Sequence, residues 1–317
     1  MNRAVKIMKT RYPIIQAPMT WLTSAELAAA VTNAGGMGSL GPNAGQTEPL
    51  SDPIESGEKL REEIKKTRAL TDGSFAVNYI VDGSEFSNQF LKIMYEEKVG
   101  YVLICDPAET PDSALIADMK DNGLTVIYRQ SNPTVKGALE AEKAGADIVV
   151  ATGYDEGGGM PKVPVGTMTM TEVIAEAVSV PVLAAGGIVN RRTTNAAFAL
   201  GAEGVYCGTR FLVAKESPVS NTAKQDIINC NMDDLLLVNN GFCPWRCTPH
   251  EQSIRALERW KANDIPSDLI GNGSFRTAML LGDLDHGIVT VNNAINLIKS
   301  VQTCKEIIQE MMADYQE

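Results

Sequence analysis

The sequence predicts an α/β chain folded as a (β/α)8 TIM barrel, with a small, mainly helical domain added after the eighth strand. Three observations predict it. Short apolar runs alternate with segments of helical period from residue 13 to residue 211, the pattern of a parallel sheet wrapped by helices. Eight such units fill about 200 residues, the length of a (β/α)8 barrel. Each run is too continuously apolar for a half-exposed strand and suits a parallel strand buried on both faces. A doubly wound open sheet uses the same alternation, so periodicity alone leaves both architectures open. The unit length and the glycine ends of the last two strands favour the closed barrel.

The first strand, Tyr12 to Pro18, is followed by Ser24, which can cap the helix SAELAAAVTNA with Glu26 in its first turn. Gly36 to Leu40 is the second strand, followed by a polar loop to Ser56 and the charged helix GEKLREEIKKTRAL. The third strand, Phe75 to Ile80, precedes a helix from Glu85 to Glu97. Tyr101 to Cys105 and Leu124 to Tyr128 are strands four and five, with helices over Asp112 to Asn122 and Thr134 to Ala144. Asp147 to Thr152 leads into the loop GYDEGGGMPKVPVG and a helix beginning near Thr169. Strand seven, Pro181 to Ala185, ends in Gly186-Gly187 before a helix from Arg191 to Leu200. Strand eight, Gly204 to Cys207, ends in Gly208-Thr209. The barrel is thus expected over 1–213 and a small helical, substrate-covering domain over 214–285. One or two closing helices are expected over 286–317.

A net charge of −11 argues against a nucleic-acid or anionic-membrane surface, since either would want a basic face. No run of about 18 apolar residues occurs, and the N-terminus lacks a signal-peptide core. Six cysteines are scattered without a disulfide framework; Cys243 and Cys247 lie closest, in CPWRC, but only two histidines exist to complete a zinc site. A soluble cytoplasmic protein with reduced thiols and no metal is expected.

Catalytic groups of such a barrel sit at the C-terminal ends of its strands, with phosphate held after strands seven and eight. Gly186-Gly187 and Gly208-Thr209 can bring bare N–H groups to an anion; two ordinary turns would read the same. Ala17-Pro18-Met19 offers a stiff backbone for a flat ring, or simply a packed strand end. Asn78 is a polar residue inside an apolar strand and needs partners, either a cofactor edge or a neighbouring loop. In the strand-six loop, Tyr154, Asp155 and Glu156 stand beside Gly157-Gly158-Gly159, whose glycines permit close backbone approach. Adjacent acids usually point apart, so paired acid–base work by them is the less favoured reading. Arg191 and Arg192 can reach a phosphate or begin a solvated helix. His250 reads as a cap or solvated residue and His286 as a turn residue. No Walker A loop, Ser-His-Asp order or GxGxxG after the first strand is present.

PIIQAPMTWLTSAELAAAVTNAGGMGSLG, VPVLAAGGIVNRRTTNAAFALGAEGVYCGTRFLVAKES and the closing GDLDHG resemble the nitronate monooxygenases (2-nitropropane dioxygenases) and flavin-dependent enoyl-acyl-carrier-protein reductases, one family across nearly the whole chain. GTRFLVAKES and VGTMTMTEVI look closer to the enoyl reductase branch. The resemblance implies a (β/α)8 barrel that binds FMN. Ala17, Pro18 and Met19 would support the flavin ring, Asn78 and Gly158 would lie beside it, and Gly186, Gly187, Gly208 and Thr209 would hold its phosphate. The family's strand-six loop reads G-x-E-A-G-G-H-x-G, with a catalytic histidine; here that position is Gly159. Tyr154, Asp155 or Glu156 would have to substitute, or the reaction needs no protein proton transfer. The implied activity is an FMN-dependent oxidoreductase taking hydride from NADH or NADPH to an enoyl thioester or quinone. Nitronate oxidation with oxygen is the first alternative and a non-catalytic flavin-binding protein the second. A small-molecule or acyl-thioester partner is expected, and a homodimer is left open.

Overall fold

Eight parallel strands follow one another round a barrel in a computed structural model that describes residues 2–316. They are β1 (Ile14–Gln16), β2 (Gly38–Leu40), β3 (Phe75–Ile80), β4 (Tyr101–Asp106), β5 (Thr125–Gln130), β6 (Ile148–Thr152), β7 (Val182–Ala185) and β8 (Gly204–Cys207). β1 pairs with β8, Ile14 lying opposite Val205. The ring closes ahead of β2, where the Met37 N–H donates to the Ile14 carbonyl at 2.9 Å and the Gln16 N–H to the Met37 carbonyl at 3.0 Å. That closure excludes the open sheet.

Helices α1 (Arg3–Met8), α2 (Ala25–Asn33), α3 (Pro53–Leu70), α4 (Glu85–Glu96), α5 (Ser113–Asp121), α6 (Val135–Ala144), α7 (Thr167–Ala177) and α8 (Arg191–Ala199) accompany the strands. Ser24 caps α2 as its sequence predicts, accepting from the Leu27 N–H. α7 starts at Thr167 rather than near Thr169, because the Asp155 carboxylate reaches from the preceding loop to accept the Thr167 N–H at 2.6 Å. α1 is an addition to the predicted elements. Six residues are too few for a periodic pattern, yet Ala4 and Met8 plug the bottom of the barrel and Tyr101 donates to the Ile7 carbonyl at 3.1 Å.

Inside the barrel the strands contribute alternate residues to one apolar cluster: Ile15, Ala76, Tyr101 and Leu103, Ile127, Ile148 and Val150, Leu183 and Ala185, and Tyr206. The intervening residues, such as Val77, Val102, Ile104, Val126 and Tyr128, pack outward beneath the helices. This period of two decides what the top of the barrel presents.

Beyond β8 come α9 (Thr209–Leu212), α10 (Asn221–Asn229), β9 (Leu236–Asn239), β10 (Pro244–Cys247), α11 (Glu251–Lys261) and α12 (Asn272–Phe275), which runs into a wider π-pitched turn at Arg276–Leu280. α13 (Cys304–Met311) packs against α2 and α8. The region predicted as mainly helical therefore also contains an antiparallel hairpin, Trp245 opposite Val238. Its strands have four residues each, too short for alternation to register, and Gly241 at φ +89° makes its turn.

Candidate active site

A cavity of about 480 Å³ opens at the C-terminal ends of the strands. Its floor follows from the inward parity of each strand. Ala17 lies two residues beyond Ile15, Asn78 two beyond Ala76, Cys105 two beyond Leu103, Arg129 two beyond Ile127, and Gly208 two beyond Tyr206; all five line the cavity. Asn78 gives its Nδ2 to the Leu103 carbonyl at 2.7 Å, so the neighbouring strand, rather than a loop, satisfies its donor. Arg129 is not among the residues that the sequence marks out. A charged residue at an inward position of an otherwise apolar strand is the signal that could have found it.

The seat on the β7 and β8 side is rich in free donors. Gly186 and Gly187 take φ of +109° and +66°, conformations that glycine supplies without strain. The backbone N–H groups of Gly187, Gly208 and Thr209 have no acceptor among the described residues. A side chain at Gly208 would meet nothing nearer than Met19 Sδ at 3.7 Å and Ala17 Cβ at 3.8 Å. Thr209 Oγ1 accepts the Asn292 N–H at 3.0 Å, which keeps its own proton free to donate. The first turn of α8 is not part of this seat: Asn190 caps it, and Glu310 accepts the Arg191 N–H at 3.0 Å. Arg191 pairs with Asp314 and neither Arg191 nor Arg192 lines the cavity.

The strand-six loop forms another wall. Arg246 of β10 clamps it, donating to the Glu156 carbonyl at 2.5 Å and the Tyr154 carbonyl at 3.0 Å. Gly157 sits so close to the 291–292 backbone that a Cβ would fall 2.5 Å from the Val291 carbonyl carbon. At Gly158, φ is +85° and a Cβ would meet nothing within 4 Å, so this residue faces open space. At Gly159, a Cβ would lie 2.9 Å from Cys243 Sγ and 3.4 Å from the Trp245 ring. The β9–β10 hairpin therefore fills the corner into which a side chain at 159 would project. Burial pushes the Cys243 thiol up to about 11.

Of the three residues proposed for proton transfer, the structure brings only Glu156 to the cavity. Its carboxylate accepts two hydrogen bonds from Arg129 Nη2, at 2.7 and 2.8 Å, while Arg129 Nη1 donates to Cys105 Sγ at 3.2 Å. Burial pushes Glu156 up to about 7, against the opposing pull of Arg129. Asp155 faces away. Burial raises its carboxyl, but hydrogen bonds from the Thr167 N–H and, at 2.7 Å, from Asn293 Nδ2 outweigh that and hold it below the usual range. Tyr154 packs its ring against Arg246, 5.7 Å from the guanidinium carbon. Neither histidine reaches the cavity: His250 meets Asp226 at 2.8 Å before α11, and His286 sits in an exposed turn 3.0 Å from Asp283.

The nitronate monooxygenase family model matches residues 2–314. The chain belongs to the nitronate monooxygenase family. It is 32% identical to a probable nitronate monooxygenase of Staphylococcus aureus over 276 residues, 74% of each chain. It is 29% identical to (3aS,4S,5R,7aS)-5-hydroxy-7a-methyl-1-oxo-octahydro-1H-indene-4-carboxyl-CoA dehydrogenase of Rhodococcus jostii, an alignment covering 98% of this chain and 94% of the relative. The solved structure of FabK from Thermotoga maritima is 32% identical, with a TM-score of 0.88 over 99% of this chain and 96% of that one. As a member of this nitronate monooxygenase family, the chain is a flavin-dependent oxidoreductase.

The family's cofactor is FMN, and the residues present fit it. The free N–H groups of Gly187, Gly208 and Thr209 suit a phosphate, Ala17, Pro18 and Met19 form a continuous wall, and Gly158 leaves space beside it. A volume of about 480 Å³ lies within the ordinary range for a ligand site. Among the described residues, every position assigned to FMN from the sequence (Ala17, Pro18, Met19, Asn78, Gly158, Gly186, Gly187, Gly208 and Thr209) lines this one cavity.

Proposed function

We propose that this chain takes hydride from NADH or NADPH and reduces an acyl thioester carrying a carbon–carbon double bond, or a quinone. The observation that carries the reading is the corner at Gly159. Cys243 fills it, and a thiol pushed up to about 11 by burial is not a base at neutral pH. That corner thus offers no base, and the side chain left to carry a proton in the cavity is Glu156, at about 7 and tied to Arg129. Reduction of an enoyl double bond consumes one hydride and one proton, which matches that inventory. Deprotonating a neutral nitroalkane would use the base that the family carries at the histidine position, and Gly159 supplies none there. The likeness to FabK, an enoyl-acyl-carrier-protein reductase, and to a carboxyl-CoA dehydrogenase supports a thioester acceptor.

Bound FMN supplies the reversible hydride chemistry. The chain's own residues do the rest. Gly187, Gly208 and Thr209 hold a phosphate with backbone N–H groups, and the Ala17–Met19 wall fixes the plane of a ring lying against it. Arg129 positions the Glu156 carboxyl with two hydrogen bonds. Protonated Glu156 gives its proton to the acceptor carbon and regains one from solvent through the cavity mouth.

The test is anaerobic. FMN-loaded protein is mixed with NADH and with NADPH, and loss of oxidised-flavin absorbance is followed by reoxidation with an enoyl thioester, a quinone or oxygen. Bleaching by either nucleotide and recovery with thioester or quinone is the expected result; a flavin that neither nucleotide bleaches refutes the reading. A second reading is favoured by the Staphylococcus relative. A nitronate is already an anion and needs no base, so oxygen uptake with a nitronate but not with the neutral nitroalkane would establish it.

A further inference from the structure

Four charged residues line the cavity: Asp82, Arg129, Glu156 and Lys162. Arg129 is engaged by the Glu156 carboxyl through two hydrogen bonds, and Asp82 accepts the Ser84 N–H at 2.9 Å. Lys162 has no carboxylate within ion-pair distance among the described residues. Lys162 is exposed at the cavity mouth, where its ammonium is open to an anionic ligand. Its ammonium lies 5.8 Å from the centre of the Phe242 ring, which also lines the cavity and is 68% exposed. The two come from opposite elements, the strand-six loop and the tip of the β9–β10 hairpin. Both are presented from fixed turns. Asn132 Oδ1 accepts the Lys162 N–H at 2.8 Å, and Asn240 Oδ1 accepts the N–H groups of Phe242 at 3.0 Å and Cys243 at 3.1 Å.

We propose that Lys162 and Phe242 form an outer subsite for the adenosine-diphosphate end of a ligand whose reactive end enters the cavity. The ammonium meets the phosphates, and the exposed ring takes the adenine by stacking, which every base tolerates and which adds to a charge-assisted phosphate contact. The inference rests on the reductase reading, which supplies two ligands with this chemistry: a nicotinamide dinucleotide donor and a coenzyme A thioester acceptor.

The experiment titrates FMN-loaded protein with ADP by calorimetry at low and high salt. Lys162→Ala and Phe242→Ala should each weaken ADP about tenfold, the lysine effect shrinking as salt rises. Lys305→Ala, which removes the same charge from a distant exposed position, should leave ADP binding unaltered. Absence of ADP binding to the wild type, affinities within twofold in both variants, or an equal loss in Lys305→Ala overturns the proposal. Turnover then identifies the source. A raised KM for NADH or NADPH alone assigns the subsite to the donor. A raised KM for crotonyl-CoA, with crotonyl-N-acetylcysteamine unchanged, assigns it to the acceptor. If neither donor nor thioester is turned over, the reductase reading fails, and the ADP titration still decides the subsite.

Discussion

Replacing Glu156 by glutamine keeps the shape of the side chain and an oxygen for Arg129, and removes only the titrating proton. A carboxyl pushed up to about 7 by burial is bound more firmly to its proton in the folded chain than in the unfolded one, where its pKa is about 4.3. Its contribution to stability is therefore present in full below about pH 4.3 and is lost as pH rises through about 7. At roughly 1.4 kcal/mol for each pH unit that separates the folded and unfolded values, the loss at pH 8 is about 4 kcal/mol. Glutamine imitates the neutral acid and carries no such loss. Glu156→Gln should accordingly exceed the wild type by only about 1 kcal/mol at pH 5 and by the full amount at pH 8, up to about 6 °C in thermal melts. The kinetic effect runs the other way. Wild-type reduction of an enoyl thioester should fall as pH rises through about 7, as an acid titrates away. The variant should lose that limb and roughly 10²-fold in kcat, while anaerobic bleaching of the flavin by NADPH changes little. Removing one partner of a buried ion pair more commonly destabilises by about 3–5 kcal/mol. A variant less stable than wild type at pH 8 but not at pH 5 would mean that Glu156 is ionised well below neutrality, and the assignment of the acid would fall with it.

Gly208→Val should weaken FMN binding at least tenfold, read by flavin fluorescence, while circular dichroism stays unchanged, because its Cβ enters the seat without touching backbone. Gly159→His should lower the melting temperature, since its Cβ would stand 2.9 Å from Cys243 Sγ; adding Cys243→Ala should restore part of the loss, with a coupling on the order of 1 kcal/mol in a double-mutant cycle. Asp155→Ala removes a cap on α7 and a tie to Asn293 and should cost roughly 1–3 kcal/mol at pH 7. That difference should shrink as pH falls below about 4, because a carboxyl held below its unfolded pKa contributes only while ionised.

Strand order, helix order and the glycine ends that line the cavity are legible in the chain because they depend on short-range patterns. Buried parallel strands write continuous apolar runs, and a backbone that must offer bare N–H groups writes glycine. Ser24 announces a helix start by local chemistry. Arg129 also carries a local signal, a charge on the inward parity of β5, but a single charge near a strand end is easily passed over. Arg246 has no local signal at all, because it acts on a loop some 90 residues earlier in the chain.

Sequence by itself determined the order of strands and helices, the family pattern and the fact that position 159 carries no histidine. Only the tertiary structure decided what stands there instead. A glycine at 159 is a local fact, but the Cys243 thiol and Trp245 ring that close over it arrive from a hairpin too short to show a period. Nor could spacing separate three consecutive candidates. Asp155 and Glu156 are neighbours in the chain, yet one staples α7 and the other meets Arg129 over the cavity. Side-chain direction in an irregular loop is set by partners distant in sequence, and those partners come together only when the barrel closes.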